Sequence, residues 1–157
     1  MDSAGNGSTK LNLIKSGSEA ILRPFSTDPN DESSYTGRTE IQDGVLTIYT
    51  LRNGGLNSTI GASSNNASNL VFNQKGTNGP TLNYLGNVTA TTDRLFTVGP
   101  GNGTGTADLS IRNDSSNNET SLTFSNTEDI IFTGNTNHTF NLRGSNTGNN
   151  TFMPRIT

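Results

Sequence analysis

Residues 107–129, ADLSIRNDSSNNETSLTFSNTED, decide how the rest of the chain is read. Leu109-Ser110-Ile111 and Leu122-Thr123-Phe124 are each an apolar-polar-apolar triplet followed, one residue on, by Asn, and they recur thirteen residues apart across a polar turn. Alternation sets Leu109 and Ile111 on one face and Ser110 and Arg112 on the other, the period-2 signature of a strand buried on one side. Similar triplets recur at Leu46 to Ile48, Leu70 to Phe72, Leu82 to Tyr84, Phe96 to Val98, Ile130 to Phe132 and Phe140 to Leu142. The expected fold is all-β, built of short repetitive strands in a β-solenoid or β-sandwich arrangement.

Composition sets a second constraint. Hydrophobic residues are 28% of the 157-residue chain, while Asn, Thr, Ser and Gly together number 82. Burial stabilises by roughly 25 cal/mol per Å² against an ordering cost of about 1–2 kcal/mol per residue, so a lone chain of this composition is expected to be marginal. The expectation is therefore a core shared between copies, in a homotrimeric fibre whose inward set is Leu46, Ile48, Leu70, Phe72, Leu109, Ile111, Leu122 and Phe124. The chain has no Cys, hence no disulfide and no thiolate metal site. A net charge of −3 with scattered cations argues against nucleic acid as a partner. No apolar run approaches a membrane span, and MDSAGNGSTK lacks the basic and apolar regions of a signal peptide, so membrane insertion is not expected.

Two regions are expected. Residues 1–38 read as an extended N-terminal arm: a small polar start, the apolar runs Leu11, Leu13, Ile14 and Ala20, Ile21, Leu22, then a loop around Pro24 and Pro29. The arm lacks the repeated strand pattern, so it is expected to stay outside the β array as a hairpin or docking arm, with Leu11, Leu13, Ile14, Ile21 and Leu22 as its attachment surface. Residues 39–157 read as the β-rich body. Within it Asp43-Gly44, flanked by alternating apolar residues, predicts a hairpin over 41–51. No window combines helical periodicity with caps, so little helix is expected beyond a turn or two.

Strands ending in Asn, Gly-Asn-Gly connectors and the phrase Thr92-Asp93-Arg94-Leu95-Phe96-Thr97-Val98-Gly99 resemble the shaft and attachment regions of tailed-bacteriophage fibre and appendage proteins, of marine tail-fibre or head-fibre type. The resemblance implies a non-enzymatic virion protein, trimeric, fixed at one end to a capsid, tail or adaptor protein and projecting toward a host surface glycan. The alternative from another class is a cell-surface adhesin or carbohydrate-binding module, and a weaker one is a fragment of a polysaccharide-degrading tailspike.

Chemistry-bearing residues are sparse. His138 is the single histidine; three copies on a trimer axis would suit a metal, but a surface position in the turn before Phe140 is the expectation, with no cofactor. Carboxylates cluster at Asp28, Asp31 and Glu32 and at Glu128 and Asp129, where solubility and edge protection are expected rather than glycoside hydrolysis. Asn-x-Ser/Thr motifs at Asn57, Asn87, Asn102 and Asn137 follow from composition. Thr89-x-Thr91 and Thr104-x-Thr106 fall at different points of their units, so no threonine row is expected. Tyr49 and Tyr84 read as half-buried strand residues.

Overall fold

A computed structural model describes residues 10–23, 32–101 and 106–157. Every strand pairing in it is parallel. One sheet runs β1 (Leu13–Lys15), β3 (Thr39–Ile41), β5 (Leu70–Phe72), β8 (Thr97–Val98) and β11 (Ile131–Phe132). A second runs β2 (Glu19–Leu22), β4 (Val45–Ile48), β6 (Thr81–Tyr84), β9 (Thr106–Asn113) and β12 (Asn137–Arg143). The third is β7 (Ala90–Thr92), β10 (Leu122–Phe124) and β13 (Thr151–Phe152). Consecutive strands belong to different sheets, and the chain returns to a given sheet one strand further along. This is a parallel β-solenoid.

Each coil stacks on the one before. In the first sheet Leu13 pairs with Thr39, Thr39 with Leu70, Val71 with Thr97 and Thr97 with Ile131, and in the second Val45 pairs with Thr81, so one coil takes 26 to 36 residues. The thirteen-residue recurrence of the opening stretch is therefore two strands, β9 and β10, on two faces of one coil. Its inward residues meet those of the neighbouring coils: Leu46 pairs with Leu82 and Leu82 with Ile111. Phe96 stands at the centre of an aromatic stack, with ring centroids 5.2 Å from Phe72, 6.3 Å from Phe124 and 5.7 Å from Phe140. Phe152 closes it, 5.1 Å from Phe140.

Three expectations are corrected by this architecture. First, Leu46, Ile48, Leu70, Phe72, Leu109, Ile111, Leu122 and Phe124 are all buried in one cluster within a single chain, covered by that chain's own coils. Inward residues in a solenoid are covered axially by the coils above and below, about 4.8 Å away, so a small apolar set is enough. Polar residues are buried as well, among them Ser58, Thr92, Asn113 and Asn146, with their polar atoms hydrogen-bonded.

Second, β3 and β4 do not form a hairpin; Asp43 and Gly44 turn the corner between two sheets. Gly44 has φ +63°, and a Cβ there would lie 2.0 Å from the Ser18 carbonyl oxygen of the preceding corner. The Val45 amide donates to that same oxygen at 2.8 Å, so the corners stack as tightly as the strands.

Third, residues 13–22 of the N-terminal segment do not stay outside the array. β1 and β2 pair in parallel with β3 and β4 and form the first described coil. The boundary at residue 38 thus falls inside the solenoid. Among the described residues, helical structure is limited to a 3-10 turn, Ala67–Asn69, whose N-cap Asn66 accepts from the Ser68 amide at 2.9 Å.

Candidate functional site

The solenoid leaves its flanks and ends for function, and the connecting segments decide what they carry. The longest departure from the coil is residues 49–66, held against the body by two charged side chains. Arg94 is 2% exposed. Its guanidinium donates to the carbonyls of Arg52 (3.0 Å), Ser63 (2.9 Å) and Gly61 (2.9 Å) and to the Ser63 hydroxyl (2.8 Å). Burial lowers its pKa, with the charge of Asp93 acting against the shift. Asp93 accepts from the Gly54 amide at 2.7 Å and from the Asn65 side-chain amide at 3.2 Å. Together they fasten the segment, whose Leu51 and Ile60 also join the core, against the coil.

This accounts for the phrase that carried the resemblance to phage fibres. Thr92 donates to the Arg52 carbonyl at 2.9 Å, Leu95, Phe96 and Val98 are buried, and Gly99 passes so close to Asn73 that a Cβ would lie 2.4 Å from its side-chain oxygen. Each residue serves the coil.

The base of the same segment holds a second polar cluster. Glu32 is buried: the Thr50 hydroxyl donates to one carboxylate oxygen, and Arg52 pairs with the other at 3.1 Å. Its expected role as an exposed loop carboxylate is corrected; Asp28 and Asp31 lie outside the described residues. Thr50 and Thr59 share a contact of 2.7 Å between their hydroxyls. These groups bond one another and face no open site.

Beside this segment runs a lateral groove of about 550 Å³, lined by Asn65, Asn66, Leu95, Asn126, Glu128 and Arg155 among others. Asn126 and Glu128 are set by the turn itself, since the Asn126 side-chain oxygen accepts from the Glu128 amide at 2.9 Å. Asp129 pairs with Arg155 at 2.8 Å, and the two residues form a parallel bridge. The groove offers amides, carboxylates and a guanidinium beside the apolar edges of Leu95 and Ile131. Such a mixture suits hydrogen bonding to hydroxyl-rich ligands with apolar contact beneath.

The third sheet presents a row that sequence spacing concealed. Thr91 pairs with Thr123 and Thr123 with Thr151, stacking three threonines in register on the outward face. The row takes one threonine per coil and is not a ladder of Thr89-x-Thr91 and Thr104-x-Thr106, since Thr106 pairs with Asn137 in the second sheet; unequal turns hide it in the sequence.

Other predicted positions fall as follows. Leu11, Ile14 and Ile21 are exposed, whereas Leu13 and Leu22 are half-buried, Leu22 packing on the core. His138 is in β12 rather than in a turn, half-buried, its ring 5.2 Å from that of Phe132. Neither of its ring nitrogens has a hydrogen-bond partner. Among the described residues no three His, Cys, Asp or Glu side chains come together as a metal site would require. Tyr84 is buried; burial pushes its phenol up to about 12, and its hydroxyl donates to the Val88 carbonyl at 2.5 Å. Asn102 lies outside the described residues. Sequence reasoning missed the Arg94 clamp, whose one signal was a charged pair inside an otherwise apolar stretch.

Fold and surface together define a parallel β-solenoid with a fastened side segment and a polar flank. Part of the chain is similar to the adhesin BmaC autotransporter of Brucella suis biovar 1 (strain 1330), with 54% identity over 72 residues. The matched stretch is 45% of this chain and 2% of that adhesin's length. No family model and no solved structure matches the chain. Of the two main functional expectations, the similarity favours the cell-surface adhesin over the phage fibre.

Proposed function

We propose that the chain is a segment of a β-solenoid adhesin displayed at a cell surface, acting by binding rather than by catalysis. The observation that carries this reading is the 54% identity to an autotransporter adhesin. The fold supports it: a solenoid holds side segments at fixed spacing along a rigid axis, which suits display. The lateral groove of Asn65, Asn126, Glu128 and Arg155 is the contact surface we assign to a host-surface glycan, because clustered amides and charges in a fixed turn recognise hydroxyl groups by hydrogen bonds.

The test is binding by the purified protein. On a glycan array it should bind a defined subset of host glycans, and beads coated with it should adhere to host cells above beads coated with an unrelated solenoid. The double variant Asn126→Ala, Glu128→Ala should lose at least about tenfold in affinity, the effect of removing on the order of two or more hydrogen bonds. Absence of both glycan binding and cell adhesion would overturn the adhesive reading; retained binding by the variant would move the contact away from the groove.

A further inference from the structure

The sequence contains Asn6-Gly7, Asn53-Gly54, Asn78-Gly79 and Asn102-Gly103, of which the second and third lie among the described residues. In an Asn-Gly pair the asparagine side-chain carbon is open to attack by the glycine's backbone nitrogen, because glycine has no Cβ to hinder the approach and its backbone turns freely. What holds those two groups decides whether attack occurs. At Asn53-Gly54 both are held: the Asp93 amide donates to the Asn53 side-chain oxygen at 2.9 Å, and the Gly54 amide donates to the Asp93 carboxylate at 2.7 Å. Asn78-Gly79 lies in the corner between β5 and β6 and differs on each count. Asn78 is exposed and anchored through its own backbone amide, which donates to the Asp43 carboxylate at 2.8 Å. Its side chain and the Gly79 amide have no hydrogen-bond partner among the described residues.

We propose that Asn78-Gly79 is a site of spontaneous covalent modification, at which Asn78 is converted to aspartate and isoaspartate while Asn53 is spared. The Gly79 nitrogen gives its proton to hydroxide and bonds to Asn78 Cγ; the Cγ–Nδ2 bond breaks, and the leaving nitrogen takes a proton from water and departs as ammonia. Water then opens the succinimide ring at either carbonyl. The sum is asparagine plus water giving acid plus ammonia, with no oxidant and no enzyme. The product sets a new carboxylate beside that of Asp43, around which the turn is already closed: a Cβ at Gly76 would lie 2.3 Å from Asp43 Cγ. Isoaspartate also adds a methylene to the main chain shortly before Thr81, whose amide donates to the Gly44 carbonyl at 2.8 Å where the β4–β6 ladder begins. Charge repulsion and the longer main chain both loosen this corner as the protein ages.

Purified folded protein kept in mildly alkaline buffer and followed by peptide mass mapping should gain acid at residue 78 at least about tenfold faster than at residue 53, the effect of two hydrogen bonds that must break at Asn53. In urea, where both pairs are free, the two rates should converge. Asp93→Ala should raise the rate at Asn53 toward that at Asn78. Asn78→Ser, which has no amide to lose, should hold its urea midpoint through the same ageing while that of the wild type falls. The proposal is overturned if Asn78 stays intact in the folded protein while it reacts in the unfolded chain, or if folded Asn53 reacts as fast. An equal fall in midpoint for Asn78→Ser overturns the loosening of the corner. If Asp93→Ala fails to fold, the comparison of the two sites in the wild type still decides.

Discussion

Arg94 shows how one polar side chain substitutes for hydrophobic core. Its donors satisfy carbonyls from three separate points of the segment 49–66, at Arg52, Gly61 and Ser63. Replacement by Met keeps much of the volume but removes these charge-assisted hydrogen bonds, each worth about 1.5–3 kcal/mol, and leaves each carbonyl with one remaining donor, from Thr92, the Ser58 hydroxyl and the Gly55 amide. Arg94→Met should therefore lower stability by about 3 kcal/mol or more, read from urea unfolding, with protease cleavage appearing first within residues 49–66. Glu40 makes a pH-dependent contribution. Burial pushes its carboxyl up, but hydrogen bonds from Gln42 and Asn73 and the charges of Arg38 and Lys75 outweigh it, holding the pKa below the ordinary 4.5. In the window between the folded value and 4.5 the unfolded chain binds more protons, so this stability is present above 4.5 and is lost as pH falls through the folded value. Glu40→Gln should flatten the acid limb of a urea-midpoint profile in that window; an unchanged slope relative to wild type would contradict the assignment.

At the scale of elements, the apolar triplets were legible because alternation is local. Leu46 to Ile48, Leu70 to Phe72 and Leu122 to Phe124 each became a strand. Direction was not legible. A tight-turn dipeptide reports positive φ, a requirement that a hairpin and a solenoid corner share, so Asp43 and Gly44 suggested the wrong partner. Gly44→Ala tests the corner: strain at φ +63° adds to a Cβ 2.0 Å from the Ser18 carbonyl, and the backbone must shift to admit it. A loss of about 1–3 kcal/mol is expected in urea unfolding. The same change at Gly55, also at positive φ (+84°) but with open space at its Cβ, should cost less than Gly44→Ala.

For the whole molecule, stacking makes stability a sum over coils and their contacts with neighbours. Among the described strands β4, β5 and β6 are covered on both sides, while β1, β2, β7, β11, β12 and β13 have one free edge. Amide hydrogen exchange at low protein concentration should be slowest in the central strands and rise toward both ends. Uniform protection along the axis would instead indicate a single cooperative unit. The abundant Asn belongs to this scale too. Asn146 donates to the carbonyls of Ser115 and Asn117, and Asn113 donates to the side-chain oxygen of Asn150, stitching the turns of adjacent coils where a globular protein would use apolar contacts.

By itself the sequence determined that the chain is a repetitive, short-stranded β protein and which apolar residues face inward, because alternation along a strand is a nearest-neighbour property. Tertiary structure decided the rest: that strands pair in parallel with the next coil, that the inward set is buried within one chain, that residues 13–22 join the array, and that Thr91, Thr123 and Thr151 form a row. These depend on contacts between residues some thirty positions apart, across turns of unequal length, and no local spacing encodes them. The Arg94 clamp was hidden for the same reason, since its acceptors are backbone carbonyls, which every residue carries and only the fold assembles.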